Sequence, residues 1–343
     1  MRNLRYLGTT LFASLLLSSA VAAGCSSSSS PTSAGTPGGN DAGASTSADA
    51  GGDAGHAPTA TTGTVARGQY LVDHVLACGV CHTPTSADGK PDMAKYLAGS
   101  RNYDFTDKDG TVVSVYAENL TTHNPEGLAT WSDEQIRTAI TGGIDDEHVA
   151  LYPIMPYPEY STLTRADQDS IIQYLRTVPA SDNVVPTDYP YSDQNPPVPA
   201  IDAVKVPHTT LAPSDPSFAA AERGRYLATL ACLNCHTPQL SEDVPDLTRA
   251  FAGGKKYTLI KGAPLHTSTN ITPDATGLAT WTVDDIVAAI QADKEKGTGR
   301  VLCSSHPGGG DYLGKMADAD ARDVATYIHT LPAVKNGPFK CTP

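Results

Sequence analysis

The sequence has little positive charge. Among its 343 residues, Lys and Arg total 24 while Asp and Glu total 37, which leaves a formal net charge of -13. Proteins that hold nucleic acid or anionic lipid without sequence preference need the opposite excess, because cationic contacts to phosphate supply most of that affinity. The composition therefore argues against both kinds of partner.

Bulky aromatic residues and long apolar runs are also scarce. The chain has only 5 Phe and 2 Trp, so a core built from its own side chains would be thin. No uninterrupted apolar run reaches the roughly 18 residues that a membrane-spanning helix needs. At about 150 residues per domain, the length predicts two domains. The protein is expected to be soluble, or anchored by something other than a span.

The N-terminal region has the composition of a targeting segment followed by a tether. Residues 1–24 combine Arg residues, an apolar stretch and small residues, which is typical of a secretory signal peptide. Their end resembles a bacterial lipobox, which implies a lipid anchor on Cys25. The alternative is ordinary cleavage after Ala22, which leaves Cys25 as a spare thiol. Residues 25–63 are too polar to fold and are predicted to be a disordered tether.

From residue 64 onward the sequence contains an internal repeat, which decides the architecture. The paired segments are Arg67-Gly-x-Tyr-Leu with Arg223-Gly-x-Tyr-Leu, Asn119-x-Thr with Asn270-x-Thr, and Gly127-Leu-Ala-Thr-Trp with Gly277-Leu-Ala-Thr-Trp. The repeat predicts one domain over 64–180 and another over 217–343. The eight prolines of residues 181–216 favour an extended linker that holds the domains in a preferred relation.

Local patterns in both halves indicate helices. Capping boxes start at Ser132, Thr164 and Thr282, and apolar residues with a spacing of four follow the first and third of them. Neither half shows sustained alternation of apolar and polar residues. The predicted fold class is therefore all-α, with two small helical domains.

A motif that carries chemistry occurs once in each half. The two copies are Cys78-Gly-Val-Cys81-His82 and Cys232-Leu-Asn-Cys235-His236. The two thiols have the spacing that binds both vinyl groups of one haem, and the adjacent His is placed to bind the iron as proximal ligand. The sequence thus predicts two covalently bound haem c groups, which would also fill a core poor in Phe and Trp.

The Cys pairs have three other interpretations, namely a zinc site, a thioredoxin-like motif and two local disulfides. A structural zinc site needs two such pairs close together, whereas these pairs lie in separate repeats. A thioredoxin-like motif belongs beside a βαβ pattern, which the sequence lacks. Two local disulfides would leave the repeated His unexplained.

The repeats resemble class I cytochrome c domains, and more narrowly the cytochrome c subunits of membrane-bound alcohol and gluconate dehydrogenases. The resemblance rests on the Arg-Gly-x-Tyr-Leu, Cys-His-Thr-Pro and Gly-Leu-x-x-Trp elements. It implies two tandem class I cytochrome c-like domains that carry electrons between exported redox proteins, on the periplasmic or cell-surface side, and catalyse no reaction themselves. The alternatives are the electron-accepting subunit of a dehydrogenase complex, although those subunits usually carry three haems, and a di-haem peroxidase-like enzyme.

The resemblance also implies a Met in the sixth position of the iron, commonly followed by Pro. Met155 fits that description in the first half. His123 and His148 are competing candidates.

The second half departs from this pattern. His306 stands at the place that Met155 occupies in the first half, and Pro follows each of them. Met316 is an alternative ligand, but it aligns with the apolar Leu163 and so fits a core position. A vacant sixth position is the third alternative, and it would favour the peroxidase-like function.

Two cysteines remain after haem and lipid are assigned. Because exported proteins normally pair such thiols, we expect a disulfide between Cys303 and Cys341, with two free thiols as the alternative.

The imidazole of each proximal ligand needs an orienting partner. We expect a backbone carbonyl in the loop after each motif to accept the Nδ1 proton of His82 or His236. Pro91 and Pro245, each nine residues further on, suggested this loop.

Overall fold

The structure is a computed structural model that describes residues 63–87, 89–106, 112–186, 197–241, 244–257, 266–299, 302 and 312–339. Residues 64–180 are called the first half below, and 217–343 the second half. The predicted signal peptide, the predicted lipid-anchor residue Cys25 and nearly all of the predicted tether lie outside the described residues. All described residues belong to one compact unit that spans 56–343.

Helices make up most of the regular structure in the described ranges. They are α1 (Val65–Tyr70), α2 (Gly79–His82), α3 (Asp133–Gly142), α4 (Tyr157–Tyr160), α5 (Arg165–Leu175), α6 (Phe218–Ala231), α7 (Leu233–His236), α8 (Val283–Ala292) and α9 (Asp318–His329). A π-helical turn, Leu71–Val75, continues α1. Short 3-10 turns are Met93–Lys95, Leu128–Thr130, Ala203–Lys205, Leu247–Arg249 and Leu313–Lys315.

In the part of the chain that the structure describes, three antiparallel strand pairs accompany the helices, so the all-α prediction is correct only as a mostly helical fold. The pairs are β1 (Asn102–Thr106) with β2 (Val112–Tyr116), β3 (Gln239–Ser241) with β4 (Val244–Pro245), and β5 (Lys256–Tyr257) with β6 (His266–Thr267). In the first pair Asn102 lies opposite Tyr116. The β-branched run Val112-Val113-Ser114-Val115 favours an extended backbone, so this strand could have been predicted from the sequence.

The predicted capping boxes start helices at the expected places. Ser132 Oγ accepts the amide proton of Gln135 at 3.2 Å, and Gln135 Oε1 accepts from the Ser132 amide at 2.8 Å. Thr282 and Asp285 make the same reciprocal pair at 3.2 and 2.8 Å. The Thr164 side chain caps α5, but the predicted box does not close there, because the Asp167 carboxylate binds Arg67 and Tyr226 instead of the Thr164 amide. These bonds satisfy amide groups that the first helical turn leaves without partners.

In each half the first helix crosses the last helix at a glycine. A Cβ atom on Gly68 in α1 would lie 1.9 Å from the Ser170 carbonyl oxygen in α5. A Cβ atom on Gly224 in α6 would lie 1.9 Å from the Asp323 carbonyl oxygen in α9. The glycine of the Arg-Gly-x-Tyr-Leu repeat therefore permits backbone contact between the two helices. Its arginine reinforces each crossing, since Arg67 binds Asp167 at 2.9 Å and Arg223 binds Asp323 at 2.8 Å.

The hydrophobic core runs through both halves as one cluster of buried residues. It includes Leu71 and Ile171 from the first half and Phe251 and Tyr327 from the second. The ring centroids of Phe251 and Tyr327 lie 5.7 Å apart in an edge-on arrangement. Folding the described chain thus buries apolar surface of the two halves together.

The described part of the predicted linker packs on both halves. The Ile201 amide donates to the Pro158 carbonyl at 3.1 Å, which fastens the linker to the first half. The Tyr327 hydroxyl donates to the Pro207 carbonyl at 2.6 Å, which fastens it to the second half. Ile201 and Val206 are both buried. None of the helices in the described ranges has the length and hydropathy needed to cross a membrane.

Candidate haem attachment sites

Both Cys-x-x-Cys-His motifs form short helices directly after the first long helical segment of their half. The first motif contains α2 and the second contains α7. All four motif cysteines are half-buried free thiols. The structure therefore does not join them in the local disulfides weighed above.

Burial has the largest effect on the pKa of each of these thiols, although Arg101 acts on Cys81, and Lys255 and Glu159 act on Cys235. Burial raises the pKa of Cys78 and of Cys232 to about 12, and it also raises the pKa of Cys81 and Cys235. The thiols consequently remain uncharged near neutral pH. An uncharged, partly buried pair of sulfur atoms fits attachment to the apolar edge of a haem, where each sulfur would become a thioether.

A backbone carbonyl orients the histidine of each motif. Nδ1 of His82 lies 2.7 Å from the Glu118 carbonyl oxygen, and Nδ1 of His236 lies 2.9 Å from that of Thr269. Because a carbonyl oxygen can only accept, each Nδ1 carries the proton and Nε2 keeps its lone pair for a metal. Burial lowers the pKa of His82, which favours the same neutral imidazole.

The predicted kind of partner is confirmed, but its predicted place is wrong. Each accepting carbonyl lies far beyond Pro91 or Pro245, at the residue that precedes the repeated Asn-x-Thr segment. A contact over more than thirty residues depends on the tertiary fold, so the local spacing of proline could not locate it.

Two asparagines that the sequence analysis had not assigned hold these carbonyl segments. Asn119 Oδ1 accepts from the amide and the hydroxyl of Thr121 at 2.9 and 2.7 Å. Asn270 makes the same two bonds to Thr272, also at 2.9 and 2.7 Å. The side-chain amide of each Asn donates to carbonyls that follow the last helix of the same half. The repetition of Asn-x-Thr was the signal that could have identified them.

One buried hydroxyl in the first half lies beside the first motif. Tyr103 is 3% exposed and its hydroxyl has no hydrogen-bond partner of standard geometry among the described residues. It lies beside the Cys81 thiol, which together with burial raises the pKa of Tyr103. A buried polar group left without a partner costs free energy, so this one fits a site that a further polar group completes.

The axial-ligand candidates differ in how far the structure describes them. Met155 is half-buried in the turn before α4, and its carbonyl accepts from the Tyr157 amide at 2.8 Å. His148 is exposed, whereas Nδ1 of His123 is buried. Met316 is 3% exposed within the hydrophobic core.

The burial of Met316 matches that of Leu163, which is 4% exposed at the aligned position. This similarity agrees with a core role for Met316. His306, Cys303 and Cys341 lie outside the described residues, so the second axial ligand and the disulfide stay predictions.

The two motifs lie close to each other. The Cys81 thiol is near enough to Cys235 to contribute to the raised pKa of Cys235. Tyr160 is buried between them, and thiols of both motifs add to the effect of burial in raising its pKa. Its hydroxyl donates to the Leu76 carbonyl at 3.2 Å.

Comparison with known proteins identifies relatives of this chain. Residues 221–332, which contain the second motif and α9, match the cytochrome c family model. The chain is 29% identical over 301 residues to the cytochrome c subunit of a quinone alcohol dehydrogenase from Gluconobacter oxydans, which covers 82% of the chain and 58% of that subunit.

Two further relatives carry related names. One is the fructose dehydrogenase cytochrome subunit of Gluconobacter japonicus, 26% identical over 79% of the chain and 53% of the relative. The other is a diheme cytochrome c-type protein of Cereibacter sphaeroides, 25% identical over 80% of the chain and 88% of the relative. The chain spans little more than half the length of the dehydrogenase subunits. It contains a cytochrome c domain and is related to cytochrome c subunits of dehydrogenases and to a diheme cytochrome c.

Proposed function

We propose that this chain is a di-haem c-type cytochrome, with tandem class I domains over 64–180 and 217–343, that carries electrons between exported redox proteins. The observation that carries the proposal is the identical orientation of the two motif histidines. Nδ1 of His82 and Nδ1 of His236 are both bonded to a carbonyl that precedes an Asn-x-Thr segment. Each half therefore offers one imidazole nitrogen to a metal and two thiols beside it.

In this proposal each residue of the motifs has a defined role. A bound haem would supply one-electron chemistry at its iron, and the protein tunes the potential through axial ligands and burial. Cys78 and Cys81 would attach one haem, and Cys232 and Cys235 the other. His82 and His236 would bind the two irons as proximal ligands, and Met155 and His306 would bind them as distal ligands.

The different distal ligands would make the two haems unequal. A thioether such as that of Met155 favours Fe(II) and raises the potential, whereas a second imidazole such as that of His306 donates more strongly and stabilises Fe(III). The haem of the first half would then accept an electron before the haem of the second half.

The alternative function is the electron-accepting subunit of a dehydrogenase complex. The names of the alcohol and fructose dehydrogenase relatives favour it. The similar length of the diheme relative, of which the chain covers 88%, favours an independent carrier. Co-purification of a dehydrogenase from detergent-solubilised membranes would support the subunit function, and isolation of the chain alone would support the carrier. A peroxidase-like enzyme is the less favoured alternative. Turnover of peroxide by the purified chain would support it.

We further propose that the protein is exported, with Cys25 carrying a lipid that anchors it on the periplasmic or cell-surface side. The composition of residues 1–24 and the cysteine that follows them support this location.

Haem stoichiometry tests the main proposal. After expression in a host that matures c-type cytochromes, mass spectrometry under denaturing conditions should find two haems per chain. Replacing Cys78 and Cys81 with Ser should remove one haem, and replacing Cys232 and Cys235 with Ser should remove the other. A wild-type chain with one covalent haem, or with none, contradicts the proposal.

A further inference from the structure

The tyrosine of each Arg-Gly-x-Tyr-Leu segment contacts the opposite half. Tyr70 in α1 donates its hydroxyl proton to Asp320 Oδ2 at 2.7 Å, and Asp320 lies in the first turn of α9. Tyr226 in α6 donates to Asp167 Oδ2, also at 2.7 Å, and Asp167 lies in the first turn of α5. A tyrosine from the first helix of one half thus binds the last helix of the other half, in both directions.

The same hydroxyls also accept from the backbone. The Ala317 amide, at the N-cap of α9, donates to Tyr70 Oη at 3.2 Å. The Thr164 amide, at the N-cap of α5, donates to Tyr226 Oη at 3.3 Å. The first amides of a helix have no partner within it. Each tyrosine supplies that partner to the helix of the opposite half.

These contacts are reciprocal in the sense of a two-fold interface. Tyr70 and Tyr226 occupy the same position of the repeat, and Asp320 and Asp167 both lie three residues after an N-cap. A two-fold interface brings the same patch of each copy onto its counterpart, so residue i meets j and j meets i. The two halves therefore meet through one self-complementary surface.

Charge reinforces the contacts. Arg67 forms two hydrogen bonds to the Asp167 carboxylate, at 2.9 and 3.0 Å, and its guanidinium carbon lies 5.5 Å from the centre of the Tyr70 ring. Burial and the hydrogen-bonded carboxylates raise the pKa of Tyr70 and of Tyr226. Both tyrosines accordingly remain protonated donors near neutral pH.

The surface extends to the attachment motifs. Asn234, between the cysteines of the second motif, donates to Glu159 Oε1 of the first half at 3.0 Å. In the other direction Tyr312 packs beside the first motif, since a Cβ atom on Gly79 would lie 3.1 Å from its ring. Glu159 and Tyr312 both lie shortly before the last helix of their own half.

We propose that Tyr70 and Tyr226 are docking residues that join the two halves at a pseudo-two-fold joint, which opens and closes as a unit. The Arg-Gly-x-Tyr-Leu segment then has two tasks: its Arg and Gly fix the helix crossing inside a half, and its Tyr binds the other half. The joint sets the relation between α2 and α7. The proposal does not depend on the electron-transfer function.

Amide hydrogen exchange of the haem-loaded full-length protein tests the joint. The variants are Tyr70→Phe and Tyr226→Phe, and the amides observed are those of Thr164 and Ala317. A hydrogen bond contributes about 1 kcal/mol, which corresponds to about a fivefold change in an opening equilibrium. Each variant should raise the exchange rate of both amides about fivefold, including the amide whose own tyrosine is intact, because the contacts open together.

The matched control is Tyr174→Phe. Tyr174 lies in α5 and its hydroxyl donates to Asp73 of the same half at 3.4 Å, so its removal should leave both amides unchanged. If each docking variant affects only the amide beside it, the contacts are independent and the joint is refuted. An equal effect of Tyr174→Phe would also refute it, since the response would then be general destabilisation.

A double-mutant cycle gives a second test. Asp320→Ala should accelerate both amides as Tyr70→Phe does, and combining the two should add little, because both remove the same hydrogen bond. Additive effects would contradict a direct Tyr70–Asp320 contribution to docking.

Discussion

Two glycines, Gly68 and Gly224, lie where a side chain has no room. Any Cβ atom there meets a carbonyl oxygen of the crossing helix at 1.9 Å. Relieving that overlap requires the two helices to separate, and in well-packed cores such insertions cost roughly 1–3 kcal/mol.

We therefore expect Gly68→Ala and Gly224→Ala each to destabilise the protein by about 3 kcal/mol, at the upper end for overpacking because the obstacle is backbone. Denaturant unfolding of the haem-loaded variants measures this. Gly142→Ala is the control, because its Cβ would make only an ordinary van der Waals contact, 3.8 Å from the Thr138 side chain. Alanine there should be neutral or raise stability by up to about 1 kcal/mol. Equal behaviour of the three variants would show that the crossing tolerates a methyl group.

The sequence predicts the candidate site best at the residues of the two Cys-x-x-Cys-His motifs. In each motif the two cysteines and the histidine lie within five consecutive positions, so their chemistry can be predicted from spacing alone. The carbonyl partners of the histidines cannot be predicted from local spacing. Glu118 and Thr269 act through their backbone, so their side chains carry no signal, and only the Asn-x-Thr that follows each of them repeats.

At the scale of elements, α3 and α8 are equivalent helices whose caps differ in charge. The box of α3 ends in the neutral Gln135, whereas that of α8 ends in Asp285, whose carboxylate also lies 3.0 Å from Lys296. Hydrogen bonds from the Thr282 amide and hydroxyl, with a smaller effect of Lys296, lower the pKa of Asp285 from 3.8 to about 2.

The cap of α8 should consequently weaken in acid while that of α3 should not. A carboxylate with a lowered pKa stabilises the fold above its unfolded pKa and loses that effect as the pH falls through the folded value. The stability difference between wild type and Asp285→Asn should therefore shrink between pH 3.8 and about 2. Thermal unfolding at several pH values measures it, with Gln135→Ala as the pH-independent control. A difference for Asp285→Asn that stays constant over this range would mean that the carboxylate is not held ionised.

Helix starts were predictable because a capping box is a four-residue pattern, and Ser132, Thr164 and Thr282 all cap as expected. The strand pairs were missed because alternation over five residues or fewer is too short to recognise. β1 and β2 could have been inferred from the valines of β2, but β5 and β6 are two residues each and depend on the surrounding fold.

At the scale of the whole molecule, the repeat predicted two similar halves but not the way they meet. Tyr70 and Asp320 are 250 positions apart, and no spacing rule connects them. This contact depends on the positions of α1, which carries Tyr70, and α9, which carries Asp320, in the folded chain. The Pro-rich composition predicts that residues 181–216 hold the halves in a preferred relation. The described parts of this segment contact both halves.

The hydrophobic cluster that continues from Leu71 to Leu331 has a thermodynamic consequence. Two domains joined by a flexible linker would unfold independently and give two heat-absorption peaks. Here, unfolding one half would expose apolar surface of the other, so we expect neither half to lose its structure alone at equilibrium. Calorimetry of the haem-loaded chain should give a single peak whose van't Hoff and calorimetric enthalpies agree, as for one cooperative domain. Two resolved peaks would mean that the two halves of the repeat unfold as independent domains. A single peak would mean that they form one larger folding unit.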